Sequence, residues 1–192
     1  MKTYKQEKNM TCSKEADTQE KKFNSFLNKL TIYCGGTSLL DGYILTAIGP
    51  ALIYLQPLLD LDVFWTGAIG SAALMGVLLG GPVFGYLSDK VGRKLPFVVI
   101  PLAMAALSIA SIFVETPLQL FVIRFLAGVA VGSDYPSATA YLAEYSPPQR
   151  RGIMIGVLIL MLSGGMTLGE IVGYLTYDSD YAWQILLGAP AV

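Results

Sequence analysis

The chain of 192 residues contains no histidine, only two cysteines and few charged side chains. Without histidine it lacks the side chain most often used for acid–base catalysis and metal binding near neutral pH. Cys12 lies in a polar segment and Cys34 in an apolar one, so we expect neither a disulfide nor a metal site. No nucleophile and base fall at a recognisable spacing, and no phosphate-binding loop occurs. We therefore expect a protein that is not an enzyme and has no cofactor.

Long apolar runs dominate what is present. Hydrophobic residues make up 54% of the chain, charged residues 14%, and the mean hydropathy is +0.55. A helix needs about 20 apolar residues to cross the hydrocarbon core, and backbone groups in lipid must be paired within their own segment. The sequence therefore predicts an all-α membrane protein with five transmembrane helices and the start of a sixth. We expect these helices at about 30–55, 63–87, 95–114, 118–143 and 153–176, with the sixth beginning near 183.

The basic residues are distributed unevenly along the chain. Residues 1–29 form a lysine-rich polar tail that lacks the apolar core of a signal peptide, and we expect no stable structure there. Connections between the apolar runs are alternately basic and acidic. The basic ones hold Lys90, Arg93 and Lys94, and then Arg150 and Arg151. This pattern follows the positive-inside rule and predicts a cytoplasmic N-terminus. Such dispersed basic residues argue against a nucleic-acid partner.

Four ionisable residues fall inside the apolar runs, where each costs at least about 2.5 to 3.5 kcal/mol at the bilayer centre. They are Asp41, Arg124, Asp134 and Glu170. At the helical rise, Asp41 and Arg124 lie at depths that differ by only about 5 Å, which predicts a buried ion pair between the first and fourth helices. Such a pair can be purely structural. It can also couple transport to protons, if water reaches the carboxylate and protonation releases the arginine.

Further polar residues in the apolar runs are candidates for a substrate cavity. Asp134 is followed by Tyr135 and a proline that can kink the helix and free a carbonyl group. Glu170 lies late in the fifth run, where a role at the membrane rim is as reasonable as a role in a site. With Tyr43, which follows Asp41 closely, these residues form our candidate cavity: Tyr43, Asp134, Tyr135 and Glu170.

Glycines recur four residues apart in several of the predicted helices. Examples are Gly76 with Gly80, Gly128 with Gly132, and Gly165 with Gly169. Small residues at this spacing let two helix backbones approach each other closely. We interpret them mainly as packing positions rather than as substrate contacts.

Three motifs give the chain a resemblance to a known family. Gly85 to Lys94 match the pattern GxxxD(K/R)xGR(K/R), and Arg124 begins the pattern RxxxGxxxG. Glu144 is followed by Pro147, Arg151 and Gly152 in the next connection. In this order and at these positions, the motifs resemble those of the major facilitator superfamily. Leu40 to Tyr43 and Gly132 to Pro136 look most like bacterial metabolite:proton symporters.

The resemblance implies a twelve-helix carrier in which two six-helix halves rock around a central site. By this analogy the chain is the N-terminal half, residues 30–192 form its helical bundle, and a C-terminal half is expected as a partner. The cytoplasmic gate would contain Gly85, Asp89, Arg93, Glu144 and Arg151. Asp41 and Arg124 would couple transport to protons.

The sequence thus predicts a secondary transporter in the lipid bilayer of a bacterial inner membrane, which carries a small polar or carboxylated metabolite together with a proton. Two alternatives stay open. The chain could be a truncated product that transports nothing and serves as an interaction partner, or it could belong to a uniporter of sugar-like substrates.

Overall fold

A computed structural model describes residues 2–91, 94–177 and 182–191, with side chains described for 19–86, 90, 99–177 and 183–190. Most residues in these ranges are helical, and no strand occurs in them. The helices are α1 (Lys2–Thr46), α2 (Ile48–Leu58), α3 (Val63–Val91), α4 (Lys94–Ile112), α5 (Pro117–Tyr145), α6 (Pro148–Leu175) and α7 (Ala182–Gly188), which ends in a 3₁₀ turn (Ala189–Ala191). The all-α class is therefore confirmed.

Four segments are long and apolar enough to cross a membrane: Gln19–Leu58, Val63–Tyr86, Pro117–Tyr145 and Pro148–Leu175. Val99–Ile112 is a shorter apolar helix. The tail was expected to lack stable structure, and this expectation is wrong for residues 2–29, which continue α1 without a break. Its lysine, glutamate and glutamine side chains favour helix.

The first membrane segment is interrupted at Ala47, between α1 and α2. Pro50 explains the position of this break, because a proline ring clashes with the carbonyl group four residues earlier, which here belongs to Thr46. Carbonyl groups in the last turn of α1 therefore lack ordinary helical partners and are available to other groups.

Local sequence also fixes where later helices begin. The Thr116 hydroxyl accepts a 3.3 Å hydrogen bond from the backbone N–H of Gln119, and Pro117 occupies the first helical position of α5. The Asp62 carboxylate accepts a 2.8 Å hydrogen bond from the backbone N–H of Trp65 at the start of α3. Both are N-caps of the usual kind, which satisfy N–H groups that have no partner within the helix.

Helix α3 packs closely against α5, and α1 packs against α6. A Cβ atom at Gly128 or Gly132 of α5 would overlap the backbone of Ala73 or Val77 in α3. Gly165 of α6 meets the backbone of α1 in the same way. These contacts confirm the interpretation of the glycines as packing positions, because a larger side chain would force the helices apart.

Two apolar clusters enclose the polar part of α1. One joins α1, α5 and α6 near Leu27, Leu142 and Leu158, and the other joins α2, α5 and α7 near Leu55 and Leu120. Between them along α1 lie the buried polar side chains of Thr37, Ser38 and Asp41. The fold therefore holds these polar groups away from both ends of the bundle.

Candidate functional site

Two aspartates form a carboxyl pair between α1 and α5. Asp41 is 1% exposed and Asp134 is 2% exposed, and the two side chains lie close enough to affect each other electrostatically. Thr37 is buried beside Asp134, and its hydroxyl donates a 3.0 Å hydrogen bond to the Cys34 carbonyl. Two ionised carboxylates repel each other strongly when they are buried together, so we expect one of the two to hold a proton. The pair is thus a place where one proton can be held inside the bundle.

Helix geometry explains how these three side chains meet. Thr37 and Asp41 are four residues apart on α1 and therefore point to the same face. Asp134 reaches them from α5, where the neighbouring hydroxyl groups are occupied within their own helix. Ser133 Oγ donates to the Val129 carbonyl at 2.6 Å, and Ser137 Oγ donates to the Ser133 carbonyl at 2.8 Å. The carboxyl pair therefore does not compete with these serines for partners.

Asp41 of the carboxyl pair borders a cavity of about 460 Å³ formed by α1, α3, α5 and α6. Ligand pockets in proteins commonly measure roughly 300 to 1,000 Å³. Asp41 and Tyr135 supply the ionisable groups of the lining, and the other lining residues are apolar or glycine. Tyr135 is 44% exposed, so its ring is accessible from the cavity. The cavity can accept a small molecule with an apolar body and offer it a carboxyl group.

Arg124 lies elsewhere on α5 and has a main-chain partner. Its side chain is 5% exposed, and Nη1 donates a 2.8 Å hydrogen bond to the carbonyl oxygen of Ile44. Its Nε and Asp41 Oδ1 both lack hydrogen-bond partners. The ion pair expected between Asp41 and Arg124 is therefore not formed. The depth estimate behind it assumed straight helices, whereas α1 breaks beside Ile44 and offers Arg124 a carbonyl group.

Two residues of the predicted cavity lie away from it. Tyr43 is two positions from Asp41, a rotation of about 200° on a helix, so the two side chains occupy opposite faces. The Tyr43 ring is buried in the apolar cluster of Ala47 and Leu120, and its hydroxyl has no partner. Glu170 is exposed on α6 and approaches Gly49. Asp134 and Tyr135 do lie beside Asp41, so half of the predicted group is brought together.

The residues predicted for the cytoplasmic gate are only partly described. Glu144 and Arg151 are exposed at neighbouring ends of α5 and α6. Gly85 has no atom within 4 Å of the position where a Cβ would stand. Arg93 and the side chain of Asp89 lie outside the described residues. The gate therefore stays a prediction.

Sequence reasoning missed two buried serines near Arg124. Ser108 is 7% exposed and Ser111 is 4% exposed, both on α4. Hydroxyl groups three residues apart in an apolar helix were the available signal, since such positions share a face. Hydropathy alone could not show which helix they face.

Comparison with known proteins gives these features a context. The family model described as "Sugar (and other) transporter" matches residues 1–192. The chain belongs to this family of the major facilitator superfamily. It is therefore an integral membrane protein of a transporter family rather than of an enzyme family, as predicted.

One relative of the chain is YaaU of Escherichia coli strain K12, which is provisionally named a metabolite transport protein. It is 39% identical over 171 residues, which cover 89% of this chain and 39% of YaaU. The inner membrane metabolite transport protein YgcS of the same organism is 36% identical over 170 residues, covering 88% of this chain and 38% of YgcS. The chain thus spans about two fifths of the length of these relatives.

The fold is shared with solved structures of the same superfamily. The structure of the proton:xylose symporter XylE bound to 6-bromo-6-deoxy-D-glucose superposes with a TM-score of 0.79 at 20% identity. The match covers 88% of this chain and 43% of XylE. The helices of this chain therefore form the N-terminal bundle of a major facilitator fold.

Proposed function

We propose that this chain forms the N-terminal half of a symporter that carries a small polar or carboxylated metabolite together with a proton. The burial of Asp41 and Asp134 beside each other is the observation that carries the proposal. Two neighbouring buried carboxyl groups favour a state in which one of them is protonated. A proton that leaves this pair places two negative charges side by side, and these charges repel each other strongly.

The cavity beside the pair supports a link between proton and substrate. Asp41 lines the cavity, so a bound molecule changes the surroundings of one member of the proton-holding pair. A metabolite that hydrogen bonds Asp41 competes with Asp134 for the same carboxyl group. Substrate binding and proton binding are then thermodynamically coupled. Each one changes the equilibrium affinity for the other by the same factor.

This assignment changes the role proposed for Arg124. We propose that Asp41 takes up and releases the proton, with Asp134 as its partner. Arg124 then supports the site from a distance. Its hydrogen bond to Ile44 fixes the main chain one turn beyond Asp41. Arg124 is then a positioning residue, which holds the end of α1 where the carboxyl pair needs it.

The cytoplasmic gate and the orientation belong to the same proposal. A carrier with alternating access needs a contact between its halves on the closed side. The open space above Gly85 suits close approach by a helix of a C-terminal half. Glu144 and Arg151, with Asp89 and Arg93, would supply the charges of that contact at the cytoplasmic side. The positive-inside pattern supports a cytoplasmic N-terminus in a bacterial inner membrane.

Transport by the protein extracted from its native membrane and reconstituted in vesicles tests this function. The vesicles enclose a pH-sensitive dye, and the probes are a panel of monosaccharides and small carboxylic acids. We expect at least one probe to enter together with protons. Asp41→Asn and Asp134→Asn should abolish uptake driven by a pH gradient while sparing exchange of labelled probe across the membrane.

Glu170→Gln is the matched control, because it removes an exposed carboxylate from the neighbouring helix α6. This variant should keep gradient-driven uptake. Uptake of a probe without proton movement would instead identify a uniporter. Full gradient-driven uptake by Asp41→Asn would exclude the carboxyl pair from coupling.

A further inference from the structure

Arg124 carries a buried positive charge for which the described residues provide no ion-pair partner. Arginine keeps its charge under all ordinary conditions. Its contacts are with uncharged groups, namely the Ile44 carbonyl, which accepts from Nη1, and the nearby phenol of Tyr43. A buried charge without a counter-charge is strongly unfavourable. The guanidinium therefore needs a negative partner that the described side chains do not supply.

Arg124 lines a small cavity, and neither Asp41 nor Asp134 contributes to its lining. Its volume is about 20 Å³, and it lies between α1, α4, α5 and α7. Arg124, Ser108 and Ser111 form its polar wall, and Leu107, Leu186 and Leu187 contribute to its apolar wall. A cavity needs a volume of roughly 10 to 15 Å³ to hold one water molecule. One particle the size of a water molecule or a chloride ion fits, whereas the carboxylate of an organic substrate does not.

The polar wall of this cavity presents hydrogen-bond donors. Arg124 lines the cavity and is only 5% exposed. Its Nε has no hydrogen-bond partner. Ser111 is held in place because its hydroxyl donates to the Ser108 carbonyl at 2.6 Å. The Ser108 hydroxyl lies on the same wall and can donate to an acceptor in the cavity. Donors around a positive charge are the arrangement that binds an anion.

We propose that the cavity beside Arg124 binds a single monatomic anion of chloride size. Charge decides between this ion and a water molecule, since water would leave the guanidinium charge without a counter-ion. The ion would join α1, α4 and α5 at one point, because each of these helices contributes a residue to the wall. The site is separate from the proton-holding pair, so this proposal can be tested independently of the proposed transport mechanism.

Thermal unfolding of the full chain in detergent provides the first test, with sodium chloride titrated against sodium gluconate at constant ionic strength. Binding to the folded state alone raises Tm with ligand concentration. For a chain of this size, a hundredfold excess over Kd should raise Tm by about 5 to 10 °C. Bromide should act like chloride. Equal Tm values in chloride and gluconate would mean that the cavity holds water only, and would overturn the proposal.

A variant pair shows whether the effect comes from this cavity. Ser108→Val removes a donor and fills the space, so it should remove the chloride-dependent rise in Tm whatever its effect on Tm in gluconate. Ser163→Val is the control, because Ser163 is exposed on α6 and bonds only the Ile159 carbonyl of its own helix. It should keep the full rise. A rise that survives Ser108→Val unchanged would overturn the proposal.

Crystals of the unmodified chain grown with bromide locate the ion directly. An anomalous peak between Arg124 and Ser108 is expected. A chloride-dependent Tm with no peak in this cavity would place the anion elsewhere and overturn the assignment.

Discussion

The Nη1 atom of Arg124 in α5 lies 2.8 Å from the carbonyl oxygen of Ile44 in α1, and the two are joined by a hydrogen bond. The bond ties α5 to the last turn of α1, immediately before the helix breaks at Ala47. A charged donor here replaces the helical N–H that the break removes. The end of α1 is therefore fixed by a side chain from another helix.

Replacing this guanidinium by an ammonium should weaken the bundle. Lysine lacks the planar fork of arginine and cannot present Nη1 and Nε together. We expect Arg124→Lys to lower the free energy of unfolding by about 1.5 to 3 kcal/mol, the range for hydrogen bonds to charged groups. Thermal unfolding in detergent measures it. Arg150→Lys, at an exposed arginine that contacts Asn24, should change stability by less than about 0.5 kcal/mol.

The carboxyl pair should have a spectroscopic signature. A protonated carboxylic acid shows a C=O stretching band that a carboxylate lacks, and the burial of Asp41 and Asp134 beside each other favours one such group. We expect infrared spectra at neutral pH to contain this band and Asp41→Asn to remove it. Glu170→Gln should leave the band intact. Its absence from the unmodified protein would show that both aspartates are ionised.

Thr37 should stabilise the pair because its hydroxyl, which donates to the Cys34 carbonyl, lies beside Asp134. Thr37→Val removes the hydroxyl at nearly constant volume, and we expect a loss of about 0.5 to 1.5 kcal/mol in the free energy of unfolding. Thr139→Val is the matched control, since it also removes a hydroxyl that donates to carbonyl groups of its own helix. If the interaction is direct, Thr37→Val should cost measurably less in an Asp134→Asn background.

Adjacent glycines on α6 allow a test of the helix contacts. A Cβ at Gly165 would overlap the backbone of Leu39, whereas nothing lies within 4 Å of a Cβ at Gly164. We expect Gly165→Ala to destabilise the fold by about 1 to 3 kcal/mol through overpacking. Gly164→Ala should be neutral, or stabilise by up to about 1 kcal/mol through helix propensity. Equal effects on unfolding would contradict the close packing of α1 and α6.

Single cysteines should reveal the orientation of the chain. Glu144→Cys should react with a membrane-impermeant maleimide from the cytoplasmic side, and Glu115→Cys from the opposite side. The background carries Cys12→Ser, while Cys34 is fully buried and should stay unlabelled. Intact cells and inverted vesicles distinguish the two sides. Labelling of both positions from the same side would contradict the predicted topology.

The sequence could indicate where long apolar helices lie, because apolar length is a property of each segment alone. Val63–Val91 and Pro117–Tyr145 lie close to the runs read from hydropathy. The extension of α1 back to Lys2 was not predicted, because a polar, charged segment carries the composition of a disordered tail as well as that of a helix. Composition does not separate these two states.

The pairing of buried groups was harder to predict than their existence. Apolar surroundings identified Asp41, Arg124 and Asp134 as unusual, and all three are buried. Which two of them meet depends on the rotation of each helix, and a helix that is apolar on every face gives no sign of its rotation. The partner of Arg124 could not be predicted for another reason. A carbonyl group is present at every position, so no residue type marks the one at Ile44.

That choice of partner affects how such a contact persists through evolution. Every residue at a helix end offers the same carbonyl group, so the side chain at position 44 can change freely while Arg124 keeps its bond. Comparisons of sequences would find no second position that varies in step with Arg124. The constraint would fall instead on Pro50, whose ring interrupts the helix and keeps that oxygen available.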